Sequence, residues 1–178
     1  KTPSFGKSFI CIDDKINREI LKKINKKNFL TYGTTSNSNF RIKNIKQNKK
    51  YSKFDLSIIL PGRIRYEIKN IIIPIIGLHN IRNATAAAAV SYTIGISSYM
   101  IKKGLKSFNG VERRFNILFE YNNSKFIDDY AHHPTEIKAV LDSVKNVYKK
   151  ERIICIFQPH RISRLNYLKK NFEKCFRN

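Results

Sequence analysis

Apolar residues recur in two rhythms along this chain, and the change of rhythm divides it. Up to Ile76 the pattern is mostly that of strands. Phe9 to Ile12 is a short apolar run closed by Asp13-Asp14, and Ile16, Ile20, Leu21 and Ile24 then recur at helical spacing behind an acidic cap. Phe29–Tyr32 reads as a strand and Gly33 to Asn39 as a polar loop. Four further strands are expected at Arg41–Ile45, Asp55–Leu60, Arg63–Ile68 and Ile71–Ile76, with a turn at Pro61-Gly62. Pro74 lacks an N–H and confines the last of these to a sheet edge or a strand end.

After Gly77 the rhythm becomes helical. Asn80 to Ile94 is rich in alanine, a helix whose small face must pack closely. Ser97 to Phe108 reads as a second helix capped by Ser97, with Met100, Ile101, Leu105 and Phe108 along one side. Beyond Gly110 two short strands, Phe115–Tyr121 and Lys125–Asp128, flank a tight turn at Asn122-Asn123. Pro134 opens a helix whose stripe is Ile137, Val140, Leu141, Val144 and Val147. Arg152–Phe157 has the continuous apolar run of a strand covered on both faces, and a last helix carries Leu165, Leu168, Phe172 and Phe176. From Gly110 onward the order β-β-α-β-α predicts a three-layer α/β domain with a largely parallel sheet. The residues before it read as the mixed, strand-rich end of another domain. No internal repeat is visible.

Composition changes this picture little. The chain has 178 residues, 42% of them hydrophobic, which is enough for a packed core and excludes a disordered tail. No apolar run approaches the roughly 20 residues of a membrane-spanning helix. Lys plus Arg is 35 against 13 Asp plus Glu, a formal charge of +22. Yet 24 Lys, 27 Ile and 18 Asn together point to A/T-rich codons, and the lysines are scattered as pairs rather than gathered into one basic stripe. A solvated, lysine-rich surface is therefore expected, and a basic nucleic-acid-binding module is the competing reading. Cys11, Cys155 and Cys175 show no metal-ligand spacing and read as buried free thiols of a cytoplasmic protein. The chain opens on Lys1 rather than Met and lacks an apolar leader.

Three clusters carry more chemistry than a core requires. The first, Gly77-Leu78-His79-Asn80-Ile81-Arg82-Asn83-Ala84, places His79, Asn80 and Asn83 at the opening of the alanine-rich helix, where free N–H groups and the helix dipole favour polar or anionic ligands. Asn80 is either a simple helix cap or, with His79 and Asn83, a reader of a polar edge such as adenine. The second is Arg113-Arg114 followed by Asp128-Asp129-Tyr130-Ala131-His132-His133-Pro134-Thr135-Glu136, at the carboxyl end of a strand where open α/β sheets bind ligands. Pro134 and the strand-to-helix bend spoil the facing that a helical His-x-x-Glu metal motif needs, so no metal site is assigned. The third is Gln158-Pro159-His160-Arg161-Ile162-Ser163-Arg164. If a helix starts there, Arg161 and Arg164 share a side and form a fork for phosphate or carboxylate. Gly6-Lys7-Ser8 lacks the earlier glycine of a phosphate-binding loop and precedes a strand, so it is not one.

The strings GLHNIRNATAAAAV, GVERRF, DDYAHHPTEI and FQPHRISR, in that order, together with CIDD and TYG near the start, resemble the Mur ligases of peptidoglycan synthesis. The resemblance covers nearly the whole chain. It implies an α/β chain in two parts: residues 1–109 as the later part of a central ATPase-like domain, and residues 110–178 as the first part of a Rossmann-like C-terminal domain. The activity it implies is that of an ATP-dependent carboxylate–amine ligase, with UDP-N-acetylmuramate and L-alanine as substrates and Mg²⁺ as cofactor. ATP phosphorylates the lactyl carboxylate, the amine of alanine attacks the acyl phosphate, and phosphate leaves. On that pattern His79, Asn80 and Asn83 hold adenine, Arg114 reaches the phosphates and Asp129 the ribose. His132, His133, His160, Arg161 and Arg164 face the muramyl substrate and the alanine carboxylate, with Arg114, His132 and Arg161 as the catalytic set. The family's P-loop and UDP-binding domain would precede Lys1, so this polypeptide alone is expected to be inactive. Leu78 and Leu165 depart from a basic residue and a threonine common in the family. A tripeptide-adding ligase of the same family is the nearest alternative.

Overall fold

The computed structural model describes residue 3 and residues 6–24, 28–62 and 65–177. The expected strand start at Arg63 lies outside them. Five strands form one sheet in the order β1-β2-β3-β4-β5: β1 Ser8–Cys11, β2 Phe29–Gly33, β3 Phe40–Gln47, β4 Ser52–Ile59 and β5 Arg65–Ile73. The β1–β2 and β2–β3 pairs are parallel and the other two are antiparallel. Between β1 and β2 runs α1, Lys15–Lys23, capped by Asp14, whose side chain accepts from the Asn17 N–H. Its stripe is shallowly seated, since Ile16, Ile20 and Ile24 are exposed.

The two strands expected across residues 63–76 are one. Asn70 sits at φ 58°, and its N–H donates to Asp55 Oδ1 at 2.7 Å, so β5 continues through a bulge instead of ending. Asn44, also left-handed, donates from Nδ2 to Asp55 Oδ2 on the other side. One carboxylate thus stitches a bulge in each neighbouring strand, and these N–H donors outweigh its desolvation to hold it below the ordinary carboxylate pKa. β5 lies at the sheet edge and stops at Ile73, immediately before Pro74, as the missing N–H requires.

Two helices cover this sheet, α2 (Leu78–Thr93) and α3 (Ser98–Lys106), the latter capped by Ser97. Ile81, Ala84, Ala88 and Ala89 of α2 meet Phe40, Phe54, Leu56, Ile58, Ile68 and Ile71 in one core. The alanines admit the close approach that larger side chains would prevent. Of the expected α3 stripe Ile101 is buried, whereas Met100 and Phe108 remain exposed.

The remaining residues form a smaller lobe. β6 (Asn116–Tyr121) and β7 (Ser124–Asp128) make an antiparallel hairpin through Asn122 and Asn123, both left-handed. α4, Pro134–Val147, follows. Three expectations are corrected here. Residues 152–157 join no ladder, and Ile154 and Ile156 are 72% and 94% exposed; a doubly covered strand needs neighbours, and none lies beside it among the described residues. This half therefore carries a hairpin and helices rather than a parallel sheet. The last helix is two, α5 (Ile162–Tyr167) and α6 (Lys169–Cys175), broken at Leu168, whose φ is −109°. Finally, Cys175 alone of the three thiols is buried; Cys155 is exposed because its segment is uncovered.

Candidate functional site where the two lobes meet

Gly77 is the N-cap of α2 at φ 103°, a left-handed value that suits glycine. A Cβ there would lie 2.7 Å from His79 Cε1 and 2.7 Å from Ser143 Oγ of α4. The absence of a side chain thus lets the two lobes touch. His79 Nδ1 stands 3.5 Å from Ser143 Oγ, and Ser143 donates to the Ala139 carbonyl at 2.6 Å. Burial pushes the His79 imidazole below its ordinary pKa. The Asp129 carboxylate opposes that shift, while Arg114 and Arg82 reinforce it. Charges from the smaller lobe are therefore felt at the opening of α2. A second contact between the lobes joins Lys49, in the β3–β4 turn, to Glu151, with the ammonium 5.3 Å from the centre of the Tyr148 ring.

Within the first cluster the helix begins at Leu78, two residues earlier than expected, so Asn80 is not the cap. Its Nδ2 donates back to the Ile76 carbonyl at 2.7 Å, which anchors the amide and leaves its acceptor oxygen outside that bond. Asn83 is exposed on the same turn. Arg82, between them, reaches Asp13.

The second cluster is held by hydrogen bonds within it and to residues 113–115. Asp129 accepts from the Phe115 N–H at 2.9 Å through Oδ2 and from the Ala131 N–H at 2.7 Å through Oδ1. The Tyr130 N–H donates to the Arg113 carbonyl at 2.7 Å, so residues 113–115, with Arg113 and Phe115 left-handed, are strapped to residues 129–131. This places Arg114 beside Asp129. Arg113 turns elsewhere, 3.4 Å from Asp128 and over the Tyr130 ring at 4.8 Å.

His132 and His133 take different parts. His133 is the N-cap of α4, its Nδ1 accepting from the Thr135 N–H at 3.3 Å, while Glu136 Oε2 accepts from the His133 N–H at 3.3 Å and the His132 N–H at 3.2 Å. Desolvation raises the Glu136 carboxyl, but these two N–H donors bring it below its ordinary value overall. His132 Nδ1 lies 2.9 Å from the Tyr130 carbonyl, an acceptor, so that nitrogen carries a proton, and in the neutral ring Nε2 is the nitrogen with the lone pair. His133 is fixed the opposite way.

The third cluster reaches the second through Arg164, whose Nη1 donates to the His132 carbonyl at 3.5 Å. The expected fork on one helical side is corrected: Arg161 is the residue before α5, left-handed at φ 68°, so the two guanidiniums are not related by helical spacing. His160 and Arg161 are exposed. Among the described residues no group of three His, Cys, Asp or Glu side chains could hold a metal ion. Nor is any helix there long and apolar enough to cross a membrane.

Four residues outside the assigned site sets also shape this site. Ser143 sits among apolar stripe positions and gives no local signal. Gly77 and Glu136 were visible inside their clusters without assigned work. Asp13 and Asp14 both follow β1, and only Asp14 caps α1.

The description of the Mur ligase middle domain fits residues 1–91, and that of the Mur ligase glutamate ligase domain fits residues 113–175. The chain belongs to the Mur ligase family. It is 61% identical over 177 residues to the UDP-N-acetylmuramate–L-alanine ligase of Pelagibacter ubique (strain HTCC1062), covering 99% of this chain and 38% of that relative. To the enzyme of that name from Rickettsia rickettsii (strain Sheila Smith) it is 44% identical, covering 98% and 37%. The chain thus spans well under half the length of these relatives. Among solved structures it resembles the UDP-N-acetylmuramate-alanine ligase of Thermotoga maritima, with TM-score 0.66 and 31% identity over 83% of this chain and 32% of that one. It also resembles a murein peptide ligase from Psychrobacter arcticus, with TM-score 0.55 and 26% identity over 87% of this chain and 32% of that one.

Proposed function

We propose that this chain supplies the nucleotide-holding turn and the closing wall of a cytoplasmic, ATP-dependent ligase that joins L-alanine to UDP-N-acetylmuramate in peptidoglycan synthesis. It would divide near residue 109 into central and C-terminal portions. The observation that carries this reading is the contact of the α2 opening with α4, His79 Nδ1 lying 3.5 Å from Ser143 Oγ beside Gly77, with the Asp129 and Arg114 charges acting on the same imidazole. A nucleotide in that gap would be bound from two sides. Asn80 and Asn83 offer amide edges to adenine. Asp129, its carboxylate oriented by two N–H groups, suits a ribose hydroxyl. Arg114 brings positive charge to where phosphoryl charge develops, the kind of preorganised electrostatic help that dominates such reactions.

His132, with a lone pair on Nε2, is placed to accept a hydrogen bond or a proton from an amine, and Arg164 and Arg161 suit a carboxylate. His133 supports the turn as a cap. Mg²⁺ would neutralise phosphate charge, but the described residues do not build a cage for it, so the metal enters no step here.

A chimaera tests the proposal. Residues 1–178 replace the matching segment of the Pelagibacter ubique ligase, and phosphate release from ATP is followed with UDP-N-acetylmuramate and either L-alanine or a tripeptide. Alanine-dependent release that Asp129→Asn and Arg114→Ala abolish is the expected result. Release with the tripeptide alone would assign the chain to the tripeptide-adding branch, and no release with either substrate would reject the reading.

A further inference from the structure

Asp13 is held by three side-chain hydrogen bonds. It follows β1, and its side chain is only 5% exposed. Its Oδ1 accepts from the Thr34 N–H at 2.8 Å and from Thr34 Oγ1 at 3.0 Å, at the carboxyl end of the neighbouring parallel strand β2. A Cβ on Gly33 would fall 2.5 Å from Oδ1, so glycine at the end of β2 is what leaves room for the carboxylate. Asp13 is thus pinned to the sheet by two donors whether or not anything else reaches it.

Its other oxygen, Oδ2, receives Arg82 Nε at 2.8 Å, across 69 positions of sequence. Burial raises the Asp13 carboxyl, but the Arg82 and Thr34 hydrogen bonds lower it more, so it is ionised across the neutral range. A buried ion pair is weak evidence of stabilisation, because removing two charges from water offsets most of their attraction. What such a pair fixes well is geometry. Arg82 lies between Asn80 and Asn83 in the opening turn of α2 and three residues after His79, so a guanidinium tied to a fixed peg sets the rotation of that turn about the helix axis. Ser143 meets the same turn through Gly77 and His79.

We propose that Asp13 and Arg82 are positioning residues for the nucleotide: their ion pair aims the Asn80 and Asn83 amides, and so sets the preference for adenine over guanine. This rests on the reading of the α2 opening as the adenine site. Amide recognition of a base edge is directional and weakens steeply off axis, so a turn rotated by loss of the clamp keeps its helix but misaims its amides.

The test uses the whole chain, with ¹⁵N-resolved spectra titrated with ATP and, separately, GTP, a measurement that reads millimolar affinities. Variants are Asp13→Asn/Arg82→Leu, which keeps an acceptor for Thr34 and orphans no charge, and Arg82→Lys, which preserves an ion pair. Wild type is expected to shift the Asn80 and Asn83 amide signals with ATP more readily than with GTP. The double variant, with native peak dispersion, is expected to bind ATP about tenfold more weakly and to lose the ATP-over-GTP preference, while Arg82→Lys recovers part of both. Should the double variant lose native dispersion, Arg82→Gln reads the same quantity with Asp13 intact. Wild-type affinity and preference in a folded clamp variant would overturn the inference and leave the proposed function standing. Absence of any ATP-dependent shift at Asn80 and Asn83 in wild type would overturn both.

Discussion

The two lobes solve the same problem, holding polar side chains still, by different means. In the larger lobe Phe40, Phe54 and Leu56 are fully buried, and two helices cover a five-stranded sheet. Its contribution to the site, the opening turn of α2, rides on a rigid layer and is trimmed by the Asp13–Arg82 ion pair. In the smaller lobe the buried apolar cluster is Ile137, Phe172 and Cys175, and every residue of β6 is exposed. Its contribution, Asp129 through Glu136, is organised mainly by hydrogen bonds spanning at most a few residues, together with the strap to residues 113–115 and the bond from Arg164 to the His132 carbonyl. Core packing positions one wall of the cleft; local hydrogen bonding positions the other.

The sharpest way to break this contrast is to hollow each core. Phe54→Ala is expected to cost about 3–5 kcal/mol, and Phe172→Ala less, since its partners Phe157 and Phe176 are themselves partly exposed. Denaturant unfolding followed separately for each lobe reads the difference, and equal losses would contradict it. Next, Gly77→Ala forces a Cβ into His79 and Ser143 at an unfavourable φ and should cost about 1–3 kcal/mol. Hydrogen exchange should then show the α2 opening and α4 losing protection together.

Glu136→Ala removes the capping box and the tether on both histidine N–H groups, for about 1 kcal/mol. The nuclear resonance signals of His132 should broaden or move while those of β3 and β4 stay put. The pH response is smaller. His79 has a depressed pKa when folded, so the unfolded chain binds the extra proton more readily. Stability therefore falls as pH drops below about 6.5 and levels off once the folded group also protonates. His79→Gln should flatten that limb. Asp13, Asp55 and Glu136, all depressed, add a further loss in the carboxylate range as pH falls. Smallest of all, Asn123→Gly, at φ 60°, should leave stability unchanged or raise it by about 0.5 kcal/mol in thermal melts.

What could be read from the residues alone follows the same division. Features decided by neighbours in sequence were legible: the Ser97 cap, the Asn122-Asn123 turn, Pro134 in the first turn of α4, and the edge position of the strand next to Pro74, although that strand stops at Ile73 and not at Ile76. Features decided across distance were not. Asn70 continues a strand only because Asp55, fifteen residues earlier, accepts its N–H. Residues 152–157 have the composition of a central strand, but composition cannot supply the neighbours that make one. The clusters at residues 79–83 and 128–136 were visible because each is compact in sequence. Asp13 is visible beside Asp14, but its ion pair is not, because the partner is an arginine 69 positions away.

Photo-crosslinking with an azido-adenine analogue of ATP, mapped by peptide mass spectrometry, asks most directly whether both walls face one nucleotide. Adducts are expected within residues 77–84 and within residues 113–136 of the same sample, both suppressed by excess ATP. Adducts confined to a single lobe, or indifferent to ATP, would contradict a nucleotide shared by both walls.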